Sequence, residues 1–347
     1  MGGRTRRATV GVVDLARDLG VSTATVSRAL NGSASVRPEL AERIRRYAAE
    51  QGYVPNRLAR GLSASTSRAF VGFVIPYVDT PAYSGVAAEC SRLLSTGGTQ
   101  MILTVTQNEP QRELQQLREL VASRIAGLII APSTGVLEES RAILRGLPVV
   151  ELHRSCHIGA PGVFADDEAV MGEAVTHLAE LGHTDIAYLG TPTALSHGAM
   201  RLHAVTGALE EAGLDPARMR VRLVEPTREN GRLGVHELLD GPARPTALVV
   251  GGGALSVGAA EAVRARGLRL PDDLSLVVYG DPAWFSLSDP PLTAVSVPYD
   301  RLASEAAMLL SGLLDGDDVE AVPHLLAPEL RVAGSTGPPL ATPPLAT

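Results

Sequence analysis

Two folds are predicted in one chain: a small all-α helix-turn-helix head, then a larger α/β body of two parallel-sheet lobes. Three observations predict them. Near the N-terminus two short amphipathic helices flank a glycine. From residue 69 short apolar runs alternate with helical stretches, and the rhythm occurs twice. The charge is also divided: residues 1–68 hold twelve arginines against five carboxylates (net +7), the remainder nineteen against thirty-three (net −14). A basic head on an acidic body is the electrostatic footprint of a segment that meets a polyanion. The length of 347 residues allows two or three domains at roughly 150 residues each. With 45% hydrophobic and 20% charged residues, wholesale disorder and collagen-like sequence are excluded.

In the head, Val12, Leu15, Ala16 and Leu19 recur at i, i+3, i+4, i+7, which predicts a helix over 12–19. Gly20 stands where a helix stops, and Ser22 where a second helix, Thr23 to Leu30, is capped. Val26, Ala29 and Leu30 face inward, leaving Thr23, Ala24, Thr25, Ser27 and Arg28 outward. A third helix is expected from Pro38 to Gln51, burying Leu40, Ile44, Tyr47 and Ala48. Two short helices about a glycine turn with a third packed across them describe a helix-turn-helix.

The stretch VDLARDLGVSTATVSRALNGSASVRPELAERIRRYAAEQGYVPNRLARGL resembles the DNA-binding head of the lactose-repressor (LacI/GalR) family without a gap. One departure is Gly11, where the family usually has Thr, which leaves one cap or phosphate contact in question. The resemblance implies that Thr23, Ala24 and Arg28 face base edges, Arg28 by a bidentate bond to guanine worth about 1–3 kcal/mol of discrimination. Ser22, Thr25, Ser27 and Asn31 suit phosphates, which fix register without reading sequence. It implies further that residues 55–62, from Pro55, form a hinge helix in the minor groove. There Asn56, Arg57 and Arg60 meet phosphate or base, small Ala59 lets the hinge approach, and Leu62 wedges between base pairs. So short a helix does not hold alone in water, and ordering on DNA is expected.

In the body, AFVGFVI (69–75), TQMILTV (99–105), AGLIIA (126–131) and LPVVEL (147–152) read as strands. Helices are expected between them near 82–96, 109–123 and 136–145. A second series follows, DIAYLG (185–190), RVRLV (220–224), TALVV (246–250) and LSLVVY (274–279), with helices near 168–182, 199–213, 228–239 and 254–267. Continuous apolar strands alternating with helices mean parallel sheets covered on both faces. HLAELGHTDIAYLG and DPPLTAVSVP are also phrases of the resembled family, whose body is periplasmic-binding-protein-like. The expected domains are therefore 9–54 (helix-turn-helix), 55–68 (hinge and linker), 69–336 (two-lobed effector-binding and dimerisation body) and 337–347 (a Pro-rich disordered tail). No heptads occupy the tail, so a homodimer is expected.

Ligands of open α/β sheets bind beyond the carboxyl ends of the strands. Arg201, in SHGAMRLHAV, matches the family's effector-binding arginine, a two-pronged donor for hydroxyl, carboxylate or phosphate. Acceptors common in the family are replaced: an Asn-Asp pair by Gly252-Gly253, and aspartates by His153 and by Gly280 with Asp281 next. The remaining candidates are His153, Asp281, the only tryptophan Trp284, and Asp79 and Tyr83 of the loop after the first strand. They suggest a small polar effector, a sugar or sugar derivative, other than a plain hexose.

Catalysis is not expected. Ser256 stands where the third glycine of a dinucleotide loop belongs, ALSVG is one glycine short of a nucleophile elbow, and no P-loop is present. His177 and His183 read as structural. Cys90 and Cys156 have neither disulfide-scaffold nor metal spacing, and neither a cofactor nor a metal is expected. No apolar run reaches the roughly 18 residues of a membrane span, and the N-terminus does not read as a secretory signal, so a cytoplasmic protein is expected. The resemblance implies a transcriptional regulator, a repressor, bound to a pseudo-palindromic double-stranded operator and modulated by an effector acting as inducer or corepressor. The alternative is a solute-binding protein of the transport type, which shares the body's fold but requires export and no DNA-binding head.

Overall fold

The computed structural model describes residues 11–30, 33, 35–53, 70–240, 244–280 and 283–340. The chain divides into two compact units, 1–65 and 66–347.

In the head unit α1 (Val12–Leu19), α2 (Thr23–Leu30) and α3 (Pro38–Glu50) enclose a small core of Leu15, Ala16, Val26, Ala29, Val36, Ala41, Ile44 and Ala48. Gly20 ends α1 in the left-handed region at φ 67°, where a side chain would strain the backbone, and the N–H of Val21 closes on Ala16 O. Gly11 brings no side chain to the start of α1, but the Asp14 carboxylate accepts its N–H at 3.0 Å. Leu40 and Tyr47, expected inside, are only half-buried. Ala41 takes the inner position, and the Tyr47 hydroxyl donates to Asp18 at 3.3 Å at the surface.

The body has two six-stranded sheets. The first lobe contains β1 (Phe70–Ile75), α4 (Pro81–Thr96), β2 (Gln100–Val105), α5 (Pro110–Ala122), β3 (Leu128–Ile130), α6 (Glu138–Arg145), β4 (Val149–Leu152) and β5 (Gly162–Ala165). The second contains α7 (Asp167–Glu180), β6 (Ile186–Gly190), α8 (Ser196–Glu211), β7 (Arg220–Leu223), α9 (Arg228–Leu239), β8 (Ala247–Val250), α10 (Gly253–Ala265), β9 (Ser275–Tyr279) and β10 (Thr293–Ser296). The chain then returns to the first lobe with α11 (Tyr299–Asp315) and β11 (Pro323–Leu326), and crosses again to β12 (Glu329–Arg331).

The strand orders are β11-β5-β4-β3-β1-β2 and β12-β10-β9-β8-β6-β7, and every described pairing is parallel except β10 with β12. Covered on both faces, the central strands need continuous apolar sequence; Leu128–Ile130 and Ala247–Val250 are fully inside. The lobes are joined by three crossings, at 165–167, 297–299 and 326–329, all beside the carboxyl ends of strands. The crossings therefore frame the cleft and form its hinge.

Close approach also shapes the second lobe: a Cβ on Gly258 would stand 1.9 Å from Arg228 O, so α9 and α10 pack with nothing between their backbones. Gly337, assigned to the tail from sequence, belongs to the body. Its carbonyl accepts from Ser275 Oγ at 3.0 Å and lies 2.9 Å from His183 Nε2. His183 also meets Thr246, and His177 meets Thr336, so both are structural as expected.

Candidate functional site

On the head, α2 is pinned inward by Val26 and Ala29, which turns Thr23, Ala24, Ser27 and Arg28 to the surface with Thr25 half-buried. Ser22 caps the helix: its Oγ accepts the Thr25 N–H at 3.1 Å and lies 2.8 Å from the Thr25 hydroxyl. Ser22, Thr23, Ala24, Ser27 and Arg28 are thus exposed beside the half-buried Thr25, a helix surface of the kind that a recognition helix presents to a major groove. Asn31, Asn56, Arg57, Ala59, Arg60 and Leu62 lie outside the described residues.

In the body a chamber of about 70 Å³ sits between the lobes. Its second-lobe wall is built around Arg201 on α8. The Arg201 side chain is only 8% exposed. It donates from Nε to Asp167 Oδ2 at 2.7 Å and from Nη1 to Gly251 O at 2.9 Å, and its Nη2 is also 2.7 Å from Asp167. The guanidinium lies 3.9 Å over the ring of Tyr279, whose hydroxyl donates to Asp167 Oδ1 at 2.8 Å. The buried charge is thus matched by a buried carboxylate, which raises the pKa of the guanidinium against desolvation. The first turn of α10, starting at Gly253 with no side-chain cap from Gly252, also lines the chamber.

The first-lobe wall is different. Arg154, 3% exposed just after β4, donates to Asn108 Oδ1 at 2.8 Å and reaches Pro132 O at 3.4 Å. Its Nε has no partner, and no described carboxylate forms an ion pair with it. Asn108 donates to Glu225 Oε1 at 2.8 Å, and the Tyr77 hydroxyl donates to the same oxygen at 2.8 Å. Glu225 follows β7, so these two bonds tie the lobes together across the cleft mouth. Burial with the Glu225 contact raises the Tyr77 pKa, which keeps the phenol a donor.

His153 sits at φ 58°, its Nε2 2.8 Å from Ala82 O and its ring edge-on to Tyr83 and Tyr299. Because a carbonyl only accepts, Nε2 carries the proton. Burial pulls the His153 pKa down to about 4, so the imidazole is neutral near pH 7. Three further buried atoms of the lining lack partners: Thr80 Oγ1, Thr191 Oγ1 and His197 Nδ1.

Of the predicted cleft residues, Tyr83, His153 and Arg201 line the chamber. Asp79 does not, being exposed one residue before Thr80, which does. Trp284 is also outside; it is 40% exposed and packs edge-on against Phe285 at 4.3 Å, so it forms no stacking floor. Asp281 lies outside the described residues. Sequence reasoning missed Arg154, Asp167, His197 and Tyr279. Arg154 directly follows the candidate His153, and Asp167 opens an expected helix, so position beyond a strand end was the available signal. Ser256 is structural: its hydroxyl donates to Gly252 O at 2.9 Å and accepts the Tyr279 N–H at 2.8 Å.

Residues 12–56 match the bacterial regulatory proteins of the lacI family, and residues 175–336 match the periplasmic binding protein-like domain. Catabolite control protein A of Priestia megaterium is 29% identical over 323 residues, covering 91% of this chain and 97% of that one. The crystal structure of the Lac repressor dimer bound to operator and the anti-inducer ONPF matches with a TM-score of 0.82 and 26% identity, over 95% of this chain and 100% of that chain. The chain thus carries a LacI-family DNA-binding head and a periplasmic binding protein-like body, and along most of its length it is similar to transcriptional regulators. A complex of the transcriptional regulator CelR with cellobiose matches with a TM-score of 0.69 and 26% identity, over 94% and 99% of the two chains.

Because the LacI-family likeness runs through head and body together, this chain is a DNA-binding transcriptional regulator, neither an enzyme nor a transport-type solute-binding protein. Among the described residues no helix is long and apolar enough to cross a membrane.

Proposed function

We propose that this regulator is a cytoplasmic repressor, acting as a homodimer on a pseudo-palindromic operator, and that the cleft between its lobes binds a small polar effector. The observation that carries this reading is the capped, exposed start of α2, with Thr23, Ala24 and Arg28 on one face above a fixed core. Arg28 reads guanine, Thr23 and Ala24 suit thymine methyls, and Ser22, Thr25, Ser27 and Asn31 hold phosphates. Asn56, Arg57, Ala59, Arg60 and Leu62 serve the hinge in the minor groove. Residues 9–54 then form the reader, 55–68 the hinge and 69–336 the sensor.

The dimer follows from two-fold half-sites, as in the Lac repressor complex, and a sugar-like effector is supported by the cellobiose held by CelR. Coupling between cleft and head is expected at about 1–3 kcal/mol and must be reciprocal. Closure of the cleft is read through the Glu225 bonds to Tyr77 and Asn108, which only one relative setting of the lobes allows.

Genome-wide footprinting of the bound protein tests the reading. Discrete inverted-repeat sites are expected, beside genes whose products handle the effector. Uniform occupancy without a shared motif refutes it.

A further inference from the structure

Resting on the effector reading of the cleft, we propose that the effector carries an anionic group, a carboxylate or a phosphoryl, and that this group seats on Arg154. A guanidinium taken out of water is costly unless a charge or a full set of acceptors meets it. Arg154 has no ion pair and no full set of acceptors: two neutral oxygens hold Nη1, the Tyr83 hydroxyl is its further side-chain contact, and Nε is buried without a partner.

Of the nearby carboxylates, Asp167 and Glu225 are otherwise engaged, while Glu113 forms no ion pair with Arg154 and keeps one oxygen, Oε1, buried without a partner. Asp167 is held by Arg201 and Tyr279, and Glu225 by Tyr77 and Asn108. Glu113 accepts the Ser133 N–H at 2.6 Å, and burial raises its pKa. The uncapped start of α10, whose first turn lines the same space, adds positive potential.

Arg154 also lines a second chamber of about 310 Å³, bordered by hydroxyls of Ser133, Thr134, Ser155 and Ser196. The inner chamber alone is smaller than the roughly 300–1,000 Å³ of ordinary ligand sites. A ligand whose anionic group rests on Arg154 can place its remaining polar atoms in either chamber. Two parallel N–H···O bonds from the fork would satisfy the orphan Nε and neutralise the charge.

The test is thermal melting of the full chain with sodium phosphate or sodium acetate, against sodium chloride at equal ionic strength. A saturable rise of about 3 °C at ten times the midpoint concentration is expected with at least one of the two anions. A response to phosphate alone assigns a phosphoryl group, and to acetate alone a carboxylate. In Arg154→Met the midpoint should move at least tenfold or the response vanish, whereas Arg264→Gln, an exposed control on α10, should respond like the parent.

Without added anion, Arg154→Met should melt at or above the parent temperature, because the unpaired charge is gone. No response beyond chloride, a response that survives in Arg154→Met, or a variant that melts far lower or fails to fold, each overturns the proposal. The same preparations are passed over a random duplex pool. Loss of inverted-repeat enrichment there removes the regulator reading itself, while enrichment without an anion response removes only this inference.

Discussion

Two arginines face one cleft from opposite lobes, and their surroundings have little in common. Arg201 in the second lobe is gripped by Asp167, Gly251 O and the face of Tyr279. Arg154 in the first lobe meets neutral amide, carbonyl and phenol oxygens, and has an orphan Nε. One side chain is a finished piece of architecture that a ligand can touch but does not need to complete. The other is unfinished, and unfinished buried polar groups concentrate where something else is meant to bind. Proximity to the cleft therefore does not decide what a charged residue does there; the completeness of its hydrogen bonding does.

The largest effect that could break this contrast is in Arg201→Met, which leaves Asp167 buried and uncompensated. A loss of about 3–5 kcal/mol in urea unfolding is expected, and a loss below about 1 kcal/mol would place Arg201 with Arg154. Tyr279→Phe removes one donor to the same carboxylate and should cost about 1–3 kcal/mol.

The pH dependence is a further check. Because folding holds His153 at about 4, below its ordinary value of 6.5, the native state binds fewer protons between those values. The stability contribution is full above 6.5 and is lost as pH falls toward 4. His153→Asn, which tolerates the left-handed backbone, should flatten that slope in chemical denaturation. The smallest effect sharpens the contrast most: Arg154→Met should change stability by less than about 1 kcal/mol or raise it, since Asn108 Oδ1 still accepts the Thr134 N–H at 2.9 Å.

Most of the fold was legible in the sequence. The head helices over 12–19 and 23–30 and the helix over 228–239 fall where periodicity, capping and glycine place them. The strands missed were β5, β10, β11 and β12, each of three or four residues; β11 and β12 are partly exposed edges with no continuous apolar run. The helix α11 lies outside the two strand–helix series legible in the sequence, although Leu302, Ala303, Ala306, Leu309 and Leu310 repeat at helical spacing.

The cleft was harder to read. Arg201 and His153 could be found by position, but Asp167 and Tyr279 matter only because α7 brings Asp167 to Arg201 across 34 residues and β9 brings Tyr279 to Asp167 across 112. Trp284 misled because a lone aromatic after a strand suggests stacking, whereas Phe285 beside it is the one that enters the core and Trp284 covers it.

A competition binding titration tests the account most directly. A duplex enriched by the full chain from a random pool is set against its scrambled sequence at a fixed salt concentration. The account predicts an inverted-repeat duplex bound at least about 10³-fold more tightly than the scramble, with Arg28→Ala losing about 1–3 kcal/mol of that preference at one base of each half-site. Equal affinity for both duplexes, unchanged by Arg28→Ala, would contradict it.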